Sequence, residues 1–143
     1  MKPIGRGVIR KIFTKRPLWA HKGNYGRLLI VGGSRIYSGS PALAALAAIK
    51  TGVDLVTVVA PERAANIVAS FSPDIITYPL HGDFIEPRHI PEINLLAKNS
   101  DAIVIGGGLT RNRRTLDFVL QFLGKIKVQC VVDADALYAF SGN

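Results

Sequence analysis

The chain has 143 residues, 48% hydrophobic and 20% charged, with a mean hydropathy of +0.25, which is enough for one globular domain with a real core and excludes a disordered or fibrous chain. Its single cysteine, Cys130, excludes an internal disulfide and a cysteine-rich zinc site and suits a reducing compartment. The formal net charge is +8, so anionic partners are favoured over cationic ones.

That charge is unevenly placed: eight of the eighteen basic residues fall within residues 1–27, and the first acidic residue is Asp54. The basic start has no apolar core behind it and does not read as a secretory signal, and no apolar run reaches the length of a membrane span. The expectation is a soluble, cytoplasmic protein without a membrane partner. A basic arm can bind nucleic acid, but this one has few aromatics and no nucleic-acid module, so it reads as a solvated arm.

Residues 1–20 form that arm, with Val8, Ile9, Ile12 and Phe13 at helical spacing and Pro17 ending the pattern. The stripe is expected to pack on the domain or on a partner subunit. Residues 21–143 form the domain. It opens with His21-Lys22-Gly23, where His21 is a structural or ligand histidine and Lys22 a possible phosphate or carboxylate contact. Residues 28–31 are an unbroken apolar run, as in a strand buried on both faces, and stop at Gly32-Gly33. Ser40 is placed as the N-cap and Pro41 in the first turn of a helix over residues 42–50. There Ala44, Ala45, Ala47 and Ala48 allow close packing on a sheet.

A second strand is expected at 55–60, a helix from Pro61 to about Ser70, and a short strand at 74–78 near an edge, closed by Pro79. A helix at 91–98 and a strand at 101–105 then lead into Gly106-Gly107-Gly108. The next helix, 112–123, carries Leu116, Val119, Leu120 and Leu123 on one face. The last strand, 128–132, contains Cys130, read as core, and ends in Asp133-Ala134-Asp135. Strands that alternate with helices predict a three-layer α/β/α fold with a mostly parallel sheet.

Ligands of such sheets bind beyond the carboxyl ends of the strands. Gly32-Gly33, Gly106-Gly107-Gly108 and Asp133 are therefore expected on one rim. The first loop matches neither G-x-x-x-x-G-K-[ST] nor G-x-G-x-x-G, so neither phosphate fingerprint applies. Asp133 and Asp135, both at that rim, suit a ligand hydroxyl or a Mg²⁺-bound water, with a helix cap as the alternative, favoured for Asp135.

Four ordered motifs now stand together: His21-Lys22-Gly23-x-x-Gly26-Arg27; Val31-Gly32-Gly33-Ser34-x-x-Tyr37-x-Gly39-Ser40-Pro41; Ile105-Gly106-Gly107-Gly108-Leu109; and Val132-Asp133-Ala134-Asp135-Ala136-Leu137. Their sequence resembles the ADP/ATP-dependent NAD(P)H-hydrate dehydratases, from about Val8 onward. The resemblance implies a ribokinase-like fold and a lyase that repairs the S epimer of hydrated NADH or NADPH. Mg²⁺ would be the cofactor and ADP or ATP the co-substrate. It implies that Ser40 and Gly108 contact the hydrate, with Gly33, Tyr37 and Asp133 in the same substrate site.

Family members usually carry alanine at position 40 and Gly-Pro-Gly-Leu-Gly at positions 106–110, so Ser40, Gly107 and Thr110 are departures. The family's catalytic aspartate and nucleotide motifs would follow Asn143. The expectation is thus an amino-terminal half that is inactive alone, with a complementary carboxyl-terminal half or a homo-oligomer as partner. Two other readings stay open, another ribokinase-like small-molecule kinase and a non-catalytic (di)nucleotide-binding fragment.

Overall fold

The computed structural model describes residues 5–13 and 15–141. Five strands form one parallel sheet: β1 (Arg27–Val31), β2 (Leu55–Pro61), β3 (Ile75–Leu80), β4 (Ala102–Ile105) and β5 (Gln129–Val132), in the order β3-β2-β1-β4-β5. The helices are α1 (Arg6–Ile12), α2 (Gly39–Lys50), α3 (Glu62–Ala69), α4 (Ile90–Ala97) and α5 (Arg113–Leu123). Short 3₁₀ helices cover Pro87–His89 and Ala134–Phe140.

The alternation of side chains along a strand divides the core between the two faces of the sheet. Leu29, Val31, Ile103 and Ile105 pack with Ile93 of α4 and with Phe118 and Phe122 of α5, whose rings stack 5.5 Å apart. On the other face Ile30, Val56 and Val58 pack against Ala42, Ala45 and Ala48 of α2 and Ala64, Ala65 and Val68 of α3. Alanines are what permit that second layer to lie close, since each places a single methyl between helix axis and sheet. The fold is the expected three-layer arrangement.

Several local expectations need correction. The N-cap of α2 is Ser38, so Ser40 lies inside the first turn. Ala47 points to solvent, and the buried face of α2 is Pro41, Ala42, Ala45 and Ala48. The inner face of α5 is Thr115, Phe118, Val119 and Phe122, with Leu120 exposed, because the bulkier aromatic pair claims the space over the sheet. Pro79 lies within β3 rather than after it. A proline is tolerated there because β3 is an edge strand and needs no second partner for that nitrogen.

Of the two packings expected for the arm, the one on the domain core is not found. Val8, Ile9, Ile12 and Phe13 are all exposed and do not enter the core. What ties the arm down is Arg16, which pairs with Asp54 at 2.9 Å, donates to the Gly52 carbonyl and lies 4.2 Å over the Tyr25 ring.

Candidate functional site

The strand order reverses between β1 and β4: the chain runs outward through β2 and β3, then returns to the other side of β1. Loops leaving the two central strands must diverge there, and the divergence opens a crevice at their carboxyl ends. Both glycine loops are at this crevice. They are joined by the Gly33 N–H, which donates to the Gly107 carbonyl at 2.8 Å, while the Gly106 N–H continues the ladder to Val31 O at 3.2 Å.

Glycine is required at the joint for reasons of space. A β-carbon on Gly106 would run into the Asp133 carbonyl, and one on Gly107 into the Ser40 hydroxyl. On Gly108, at φ +72°, it would lie 2.9 Å from the Tyr37 β-carbon. The two loops, the first turn of α2 and the end of β5 are thus in backbone-level contact.

This contact frames a cleft of about 680 Å³ whose lining includes Tyr37, Ser40, Gly108, Thr110, Arg111 and Asp135. Tyr37 is held by a small turn: the Ser34 N–H donates to Tyr37 O at 2.9 Å, and the Tyr37 N–H donates to the buried Ser34 hydroxyl at 3.2 Å. The Ser40 hydroxyl makes no hydrogen bond with the described residues, which leaves it available to a ligand.

Of the residues expected in the substrate site, Tyr37, Ser40 and Gly108 line this cleft. Gly33 is buried behind it, and its N–H is spent on Gly107. Asp133 lies on the far side of Ser40, in an adjoining pocket of about 70 Å³ that also touches Ser40 and Gly107. Its exposed carboxylate takes no hydrogen bond or ion pair from the described residues. His21 and Lys22 precede β1 and are therefore at the opposite end of the sheet from the glycine loops, about 17 Å away across a five-residue strand. The structure does not bring them to the site.

Two cleft residues, Thr110 and Arg111, were not legible as such, and Asp135 has a different role from the favoured one. Asp135 does not cap a helix; its carboxylate accepts from the Thr110 N–H at 3.0 Å and from Arg111 Nε at 3.2 Å. Thr110 is at φ +73°, a left-handed conformation unusual for a β-branched residue, and the Asp135 bond holds it there. The Arg111 guanidinium stacks 3.5 Å over the Tyr138 ring. The one available signal was position: residues 110 and 111 directly follow the second glycine loop.

Cys130 is half-buried on β5 against the core, and burial pushes its thiol pKa up, so it keeps its proton at neutral pH. No helix among the described residues is long and apolar enough to cross a membrane.

Comparison with known proteins adds the family. The description NAD(P)H-hydrate dehydratase matches residues 28–143. The bifunctional NAD(P)H-hydrate repair enzyme Nnr of Methanothermobacter thermautotrophicus is 42% identical over 137 residues, covering 94% of this chain and 26% of that enzyme. A ribokinase-like superfamily protein of Enterococcus faecalis superposes with a TM-score of 0.80 at 22% identity, over 96% of this chain and 47% of its own. The ADP/ATP-dependent NAD(P)H-hydrate dehydratase of Bacillus subtilis, crystallised with ATP and Mg²⁺, superposes with a TM-score of 0.67 at 22% identity, over 93% of this chain and 47% of its own. The fold is therefore ribokinase-like, and the chain spans about a quarter of the curated relative and under half of each solved structure.

Proposed function

The chain belongs to the NAD(P)H-hydrate dehydratase family, and from that membership we propose that its cleft takes the S epimer of hydrated NADH or NADPH as the substrate side of a nucleotide-dependent repair lyase. The observation that carries this reading is the bond from the Gly33 N–H to Gly107 O at 2.8 Å. It locks the two loops together so that Ser40 and Gly108 face one cleft at the switch point of the sheet.

The chemistry follows from what a hydrate needs. Hydroxide is a poor leaving group. Transfer of the terminal phosphoryl group of ADP or ATP to the hydrate hydroxyl replaces it with phosphate. Loss of that phosphate together with the neighbouring proton restores the ring double bond. The residues of this chain bind and orient: the Ser40 hydroxyl is a free donor and acceptor, and Gly108 lets the backbone approach the ligand closely. Holding the acceptor hydroxyl in line with the nucleotide is the main contribution a protein makes to such a transfer.

Mg²⁺ and ATP accompany the B. subtilis enzyme, and the donor set here fits a metal that arrives with its nucleotide. Among the described residues no three His, Cys, Asp or Glu side chains converge as a metal cage. Mg²⁺ instead keeps several waters and takes one or two carboxylates beside substrate phosphates. Asp133 would hold one of those waters. When bound, the ion neutralises charge on the transferred phosphoryl group. The reading places the protein with the cytoplasmic dinucleotide pool.

The test is an absorbance assay for the dihydronicotinamide, with the purified S hydrate, Mg²⁺ and ADP or ATP, on this chain co-expressed with a complementary carboxyl-terminal half. Nucleotide-dependent recovery of absorbance is expected. Nucleotide consumption with another small-molecule acceptor, and none with the hydrate, would make it a different ribokinase-like kinase. Tight dinucleotide binding with no turnover would make it a binding module.

A further inference from the structure

We propose that Arg111 is a specificity-determining residue of this cleft, its guanidinium gripping a phosphate group of the bound dinucleotide. The inference rests on the reading of the cleft as a dinucleotide site.

Among the described residues, Arg111 and Asp135 are the only charged side chains that line the cleft. Asp135 is already engaged by two donors, the Thr110 N–H and Arg111 Nε. The Nε contact leaves both terminal nitrogens of Arg111 without a hydrogen bond or ion pair among the described residues. The side chain is 57% exposed, yet it is not loose. Tyr138 lies 3.5 Å beneath the guanidinium and Asp135 fixes its edge. A planar fork held on one edge and one face, with its other donors open, is pre-organised for an oxyanion. Holding it in advance also lowers the entropy lost when a ligand engages it.

The backbone supports the same conclusion. Thr110 is kept at φ +73° by the carboxylate that also holds Arg111. One acidic side chain therefore sets both the turn after the second glycine loop and the direction from which the guanidinium meets the cleft. Strain sustained beside a cleft is common where a side chain must be aimed.

The ligand chemistry is a phosphate oxyanion, and a dinucleotide has two sources of it. The pyrophosphate is common to NADH and NADPH; the 2′-phosphate belongs to NADPH alone. Inorganic pyrophosphate, NADH and NADPH are therefore titrated by calorimetry against the wild-type protein, Arg111→Ala and Arg111→Lys, with circular dichroism confirming each fold. Loss of about tenfold or more in affinity for all three ligands in Arg111→Ala assigns Arg111 to the pyrophosphate. A loss confined to NADPH assigns it to the 2′-phosphate. Arg111→Lys retains the charge but not the fork or the stacking and is expected to recover only part of the affinity. Arg111-dependent binding of pyrophosphate with no binding of either dinucleotide would leave the oxyanion site standing while removing the dinucleotide reading. Affinities unchanged within twofold in Arg111→Ala, or no binding of any of the three ligands by the wild type, would overturn the proposal.

Discussion

The hydroxyl of Ser40 occupies the space that a β-carbon on residue 107 would need. Two of the three positions at which this chain departs from the family pattern, 40 and 107, are therefore one departure, coupled through a contact between α2 and the second glycine loop. A serine at 40 favours a glycine at 107, and a larger residue at 107 requires the hydroxyl to rotate away or be removed.

The coupling predicts a non-additive pair. Gly107→Ala alone is expected to cost about 1–2 kcal/mol, the usual range for overpacking a filled site. Ser40→Ala on its own should change stability little, since the hydroxyl has no partner among the described residues. The double variant should recover at least ~0.5 kcal/mol of the single cost, as contacting residues do in a double-mutant cycle. Strict additivity in urea unfolding would show that the two side chains do not compete for one space.

Gly106 faces a harder constraint. Its β-carbon would meet the main-chain carbonyl of Asp133, which cannot rotate away as a side chain can, and its φ is +138°. Gly106→Ala must push β5 from β4 or break the Gly106 N–H bond to Val31 O. A loss of roughly 3 kcal/mol or more is expected, among the largest for any single substitution here. A thermal midpoint within a few degrees of wild type would mean that the rim is far softer than its contacts indicate.

The sheet was legible because its strands are continuous apolar runs and its helices are bounded by glycine and proline. The rim was legible for the same reason: Gly32, Gly106 and Asp133 each follow a strand end directly. Which residues on that rim face the cleft was not, because that depends on contacts between loops distant in sequence. Gly33 carries the motif yet spends its N–H inside the protein, and Asp135 looks like a cap yet reaches back 25 residues to Thr110. The inner face of α5 was legible only in part: Val119 is buried and Leu123 packs against the core, but Leu116 and Leu120 have helical spacing as good as that of Phe118 and Phe122. Only the sheet beneath them decides which pair is buried.

Thr110 and Asp135 supply a third prediction. Placing a non-glycine residue in the left-handed region costs about 1–2 kcal/mol, while glycine costs about 0.5–1 kcal/mol more in the unfolded chain. Thr110→Gly also gives up the bond from Asn112 Nδ2 to the threonine hydroxyl at 2.9 Å. These effects oppose one another, so Thr110→Gly should leave stability within about 1 kcal/mol of wild type. Asp135→Ala, which frees the Thr110 N–H and Arg111 together, should cost about 1–2 kcal/mol. In Thr110→Gly/Asp135→Ala the second loss should shrink, because glycine no longer needs to be held in place. An Asp135→Ala cost independent of residue 110 would show that the carboxylate does not stabilise the turn.

The last prediction concerns pH and the far end of the sheet. Asp54 accepts hydrogen bonds from the Tyr25 N–H at 2.9 Å and the Gly23 N–H at 3.0 Å, and pairs with Arg16 at 2.9 Å. The Tyr25 N–H first, and the Gly23 N–H and the Arg16 charge after it, hold its carboxyl below the usual aspartate value despite the opposing effect of desolvation. A carboxyl with a depressed pKa in the folded state contributes stability above its unfolded value of ~3.9 and loses it as pH falls through the folded value. The contribution is therefore complete near neutrality and declines only in acid. The difference in thermal midpoint between wild type and Asp54→Asn should stay constant from neutral pH down to about pH 5 and narrow below about pH 4. Because Arg16 is what ties the arm to the domain, the same acidification should free residues before Tyr25, read as a rise in pepsin cleavage at Leu18 and Trp19 ahead of global unfolding. A midpoint difference that is flat into strong acid, or that widens there, would show that the Asp54 charge does not hold this end of the sheet.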